Sequence, residues 1–99
     1  MANAEPIELR IVAYREGDVF AAQCLEYDIA AQAPDLKTLL RRIDNAICRE
    51  AEYTQQTHGE VFKGIAPAPD YFTALYEEAV DLAPPPEALK PQRNVRIAA

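Results

Sequence analysis

The side chains in this chain with the chemistry to act on a bond are few: Cys24, Cys48, the single histidine His58, and the carboxylates Glu16, Asp18, Glu26 and Asp28 gathered in one stretch. Clustered carboxylates can hold paired divalent cations, which neutralise the attacking and leaving oxygens in phosphodiester hydrolysis, but only where they converge from separate elements. Glu16 and Asp18 flank Gly17 in what reads as a tight turn, the ordinary place for solvated acids, so convergence is not expected. A thiolate nucleophile needs a base or a cation beside it. Cys24 lies in the apolar run Phe20-Ala21-Ala22-Gln23-Cys24-Leu25 and reads as a small core residue, while His58 before Gly59 reads as a helix-end residue close to free carbonyls. The chain has no CxxC and no Cys/His cluster, so a structural zinc site lacks its ligands. No catalytic residue, metal or cofactor is expected, and the protein reads as a non-enzyme.

The elements that carry these residues begin with the stretch from Ile7 to Ala33, a three-stranded antiparallel meander by its pattern. Ile7, Leu9, Ile11 and Ala13 alternate with Glu8, Arg10, Val12 and Tyr14, as in a strand with one buried and one wetter face. Glu16-Gly17-Asp18 then places the residue most tolerant of positive φ between two β-rich runs, a strong hairpin signal. The second strand is read over Val19 to Tyr27. After a polar break at Glu26 to Asp28, a third runs from Ile29 and stops at Pro34.

Asp35 is placed to cap a helix whose apolar residues Leu36, Leu39, Leu40, Ile43, Ala46 and Ile47 recur at three- and four-residue spacing. Such a stripe needs a sheet to cover it. The Ile7, Leu9 and Ile11 face is the evident partner, which predicts an α+β fold in two layers, sheet and helix. Val12 and Tyr14 lie on the other sheet face, and the second helix, the Val61 to Ile65 loop and another subunit are the candidates to cover it. The first helix is expected to end before His58-Gly59. Residues 59–82 read as a loop pinned by Val61, Phe62 and Ile65, then a second helix from Pro69-Asp70 to about Val80. Residues 83–99 read as a stiff Pro84-Pro85-Pro86 connector and a last short strand, Arg93 to Ala98. That strand needs a sheet edge in its own chain or a neighbour's, and Val95 and Ile97 mark the expected oligomer edge. Residues 1–99 form one domain on this reading, with residues 7–50 as its core.

The formal net charge is -6, and it is evenly spread: residues 1–50 carry 6 basic and 9 acidic groups, residues 51–99 carry 4 and 7. Nucleic acid and anionic membranes need a basic footprint, so both are disfavoured as partners, whereas a basic protein suits the charge. The N-terminal MANAEPIELR has no signal-like apolar core and no run approaches a membrane span, so a cytoplasmic location is expected. In that compartment the two cysteines read as reduced thiols.

The order of strand, EGD turn, strand ending in AAQCLEYDIAAQA, and capped amphipathic helix LKTLLRRIDNAI resembles the N-terminal domain of the HicB family, antitoxin partners of HicA-type RNA-cleaving toxins. The resemblance spans about Ile7 to Glu50. Phe20 to Leu25 fits the family's alanine-cysteine strand segment, while Ala33-Pro34-Asp35 stands where the family has a Gly-Asp-Thr or Gly-Asp-Ser stop. It implies a partly RNase H-like β-β-β-α-β core, with the Arg93 to Ala98 strand as its fourth strand. Members append a ribbon-helix-helix or helix-turn-helix module for operator DNA. Residues 69–82 supply one acidic helix, and only two residues follow Ile97, so direct DNA binding is not expected.

These readings combine into an antitoxin-like interaction domain that masks a small basic toxin. The alternative is an orphan oligomerisation or small-ligand scaffold without a toxin partner. A homo-oligomer is expected in either case. Val12, Tyr14, Tyr27 and Asp28 are the expected partner-binding residues, tyrosine being favoured at interface hot spots.

Overall fold

Alternation along the first strand decides the architecture. In the computed structural model, which describes residues 8–81 and 93–98, β1 (Leu9–Glu16) turns at Gly17 (φ 64) into β2 (Val19–Cys24) with Glu16 opposite Val19. The positive φ is why glycine stands there. Ile7 and the proline connector lie outside the described residues.

β2 is shorter than its apolar run suggests, because the chain bends at Leu25. The Asp28 corner closes with Ile29 N–H donating to Tyr27 C=O at 2.7 Å, a three-residue turn. β3 (Ala30–Ala33) returns antiparallel to β2, pairing Ala22 with Ala31. The meander therefore forms as expected, with β2 ending at Cys24 rather than Tyr27 and β3 starting at Ala30 rather than Ile29.

Asp35 then starts helix α1 (Leu36–His58), its carboxylate accepting the Thr38 N–H at 2.8 Å. That bond holds the Asp35 carboxyl below its ordinary pKa. Gly59, at φ 76, ends the helix and donates its N–H to Gln55 C=O. Leu39, Leu40, Ile43 and Ile47 are buried against Leu9, Ile11, Ala13, Ala22 and Cys24. Burial of Cys24 pushes its thiol pKa up, away from nucleophilic use.

Helix α2 (Asp70–Glu78) leads into β4 (Val80–Asp81), and the last strand is β5 (Arg93–Ile97). The sheet order is β3-β2-β1-β5-β4, with β5 parallel to β1 and every other neighbour antiparallel. Three points differ from expectation. The arrangement is not two-layered, since α2 covers the opposite sheet face from α1: Tyr76 buries Val12 and Leu25, with Phe72 and Leu75 beside them. The helix stops two residues early, and Val80-Asp81 pair with Ile97 and Arg96 instead. The edge expected at Val95 and Ile97 is partly covered: β5 pairs with β1 along its length and with β4 at Arg96 and Ile97, the Val95 side chain is buried, and the outer side of Arg93 to Val95 has no strand partner among the described residues.

β5 is also tied to α1 by Arg93, whose Nε lies 3.1 Å from Asp44 Oδ1 with both side chains mostly shielded. Deleting residues 94–99 should lower the melting temperature by on the order of 10 °C or prevent folding, since it removes both Val95 from the core and the second partner of β1. Unchanged melting of the truncated chain would contradict this topology.

Candidate functional site

Among the described residues the sheet ends at two strands, the two-residue β4 and the four-residue β3, and β3 offers the longer edge. Cys24 N–H donates to Ile29 C=O, and the pairs Ala22 with Ala31 and Phe20 with Ala33 continue that register. An antiparallel ladder alternates, so the N–H and C=O groups of Ala30 and Gln32 point away from β2. One of these is used: Arg42 Nη1 of α1 donates to Gln32 C=O at 2.9 Å. At the other end, Asp28 N–H donates to Ala66 C=O of the loop after α1. The edge is thus closed at both flanks and open between them.

Hollows lie on both sides of that open edge. On the α1 side, a groove of about 320 Å³ has Ile29, Ala30, Ala46 and Ile65 as apolar lining and Asp28, Arg49 and Glu50 as charged lining. On the other side, a shallow trough of about 330 Å³ lies over Ala21, Ala30 and Gln32, with Tyr14 and Glu16 also lining it. α2 stops short of this part of the sheet, reaching only Tyr14 through Phe72 at 6.1 Å between ring centroids. Desolvation there raises the Tyr14 phenol pKa.

The loop that walls the α1-side groove is fixed by a buried hydroxyl. Thr54 Oγ1 donates within its own helix to Glu50 C=O and accepts Phe62 N–H at 2.6 Å. Phe62 adopts φ 66, rare for a residue with a Cβ, and its ring stacks on Tyr27 at 4.3 Å. Packing and this hydrogen bond together hold the strained residue in place.

The expected partner-binding residues do not share a surface. Val12 has no exposed area and belongs to the core under α2. Tyr14 borders the trough, Tyr27 packs on Phe62 at the far end of the α1 layer, and Asp28 is exposed, accepting a hydrogen bond from Gln23 Nε2 at 2.8 Å. Only Asp28 and Tyr14 touch the hollows beside β3, one on each side. Ala30, Gln32 and Glu50 were not singled out by the sequence. A four-residue strand closed by a proline was the available signal for an edge, since short strands often sit there.

The acids of the meander disperse into separate bonds. Glu26 accepts from the Arg10 backbone N–H and from its Nε, which raises the Arg10 pKa, while Glu16 accepts from Gln32 and Asp28 from Gln23. Among the described residues no group of three or more His, Cys, Asp or Glu side chains is arranged to hold a metal ion. No described helix is long and apolar enough to cross a membrane.

Set against models of known protein families, curated proteins and solved structures, the chain finds no match in any of them.

Replacing Thr54 by Val keeps the shape of the side chain and removes the acceptor for Phe62 N–H. Urea unfolding of Thr54→Val should show a loss of about 2 kcal/mol. A loss near zero would mean that the loop wall does not depend on this bond.

Proposed function

We propose that this chain is a non-enzymatic protein-interaction module of HicB-like architecture, acting in the cytoplasm to mask a small, basic, HicA-type RNA-cleaving partner. The observation that carries the reading is the path of the chain: three consecutive antiparallel strands, a capped helix, and a last strand returning beside β1. That is the order the resemblance over Ile7 to Glu50 implies, with the helical excursion through α2 inserted before the return. The charge supports the class of partner. Asp70, Glu77, Glu78 and Asp81 are exposed along and just after α2, and an acidic surface speeds encounter with a basic protein and raises its dependence on salt. The open β3 edge favours a second reading, an oligomerising scaffold with no toxin partner.

Calorimetry separates the two. Titration with the product of an adjacent gene encoding a small basic protein should give saturable binding that weakens as salt rises. Absence of such a gene, or no binding of its product at low salt, would overturn the antitoxin-like reading and leave the scaffold.

A further inference from the structure

We infer that β3 binds a second copy of this chain, the two β3 strands adding antiparallel across a two-fold axis so that one sheet continues through both copies. This stands apart from the toxin-masking proposal and would hold with or without a basic partner.

The backbone sets the type of occupant. Ala30 turns its N–H and C=O outward, and Gln32 its N–H, without partners among the described residues, and only an extended segment can satisfy groups in that spacing. The Ala66 contact at Asp28 and Arg42 at Gln32 limit the accessible length to about the four residues from Ile29 to Gln32. A long foreign strand would have to run past both obstacles. The β3 of another copy offers a segment of equal length that ends at the same obstacles, the Ala66 contact at Asp28 on one side and Arg42 at Gln32 on the other.

The register follows from which groups face outward. With the axis at Ala31, Ala30 of each copy exchanges N–H and C=O with Gln32 of the other, and the two Ala31 side chains meet on the α1 side. The Gln32 carbonyl can keep Arg42 as well, because it has two lone pairs. Small side chains at Ala30, Ala31 and Ala33, together with the hollows on both sheet faces, leave room for the approach.

Charge selects the same partner. α1 runs back along β3, so Arg42 stands at the Gln32 end while Asp28 and Glu50 stand at the Ala30 end. An antiparallel two-fold pairing lays each Gln32 end against the other copy's Ala30 end. Arg42 of one copy then faces Glu50 and Asp28 of the other, twice over. Arg49 lines the same groove, so the end formed by Asp28, Arg49 and Glu50 carries one net negative charge.

Light scattering on a sizing column reads the outcome. The wild-type chain at sub-millimolar concentration should have twice its 11.0 kDa mass. Ala30→Pro should be monomeric with an unchanged circular dichroism spectrum, because the amide it removes points outward and proline is tolerated on an edge strand. Arg42→Glu and Glu50→Arg should each weaken the dimer roughly ten-fold, and the double variant Arg42→Glu/Glu50→Arg should restore it. A wild-type monomer at that concentration would overturn the proposal. So would a dimer indifferent to Ala30→Pro, or single charge reversals that the double variant does not rescue. Should Ala30→Pro fail to fold, the charge-swap series decides alone.

Discussion

Everything in this structure depends on β1 having both of its faces out of water. A strand sends alternate side chains to opposite sides, and here Ile11 and Val12, neighbours in sequence, are both without exposed area. One face demands α1 and the other demands α2. The same strand also needs a hydrogen-bonding partner on each side, which β2 and β5 supply. A parallel neighbour requires a long crossover, and the excursion through α1, the loop and α2 provides it. The order of elements after the meander thus follows from completing one central strand.

Much of this was legible in the residues because short-range rules govern it. The alternation of Leu9, Ile11 and Ala13, the Gly17 turn, the Asp35 cap, the α1 stripe and the Gly59 stop are each local patterns with one good solution, and each is realised. The covering of Val12 was not legible. Phe72, Leu75 and Tyr76 announce an apolar helix face, but periodicity does not say which sheet face it meets. Nor did β4 declare itself, since Val80-Asp81 is too short to alternate and is a strand only by virtue of Ile97 and Arg96 beside it. The position of β5 was ambiguous for a similar reason: Val95 and Ile97 require an edge to join, and only the assembled sheet shows that the edge is β1.

That placement makes β3, on the opposite side of the sheet, the longer of its two edges and changes which residues matter. Val12, expected at a surface, is core, whereas Ala30, with no distinctive chemistry in its side chain, carries the backbone groups that remain to be paired. Interaction sites written in main-chain atoms leave almost no trace in composition. Their flanks are more informative: Arg42 on Gln32 and the Ala66 contact at Asp28 shorten an edge that would otherwise be a general template for strands. An edge restricted in this way can be sticky for one partner geometry and closed to most others.

The central claim is that β5 lies in the interior of the sheet and β3 is left as its longer open edge. Residue-resolved amide hydrogen exchange on dilute protein tests it directly. The expected result is slow exchange at Arg96 and Ala98, whose amides face β1, slow exchange at Ala31, which faces β2, and fast exchange at Ala30 and Gln32 on either side of it. Fast exchange at Arg96 and Ala98, or equal protection along the whole of β3, would contradict it.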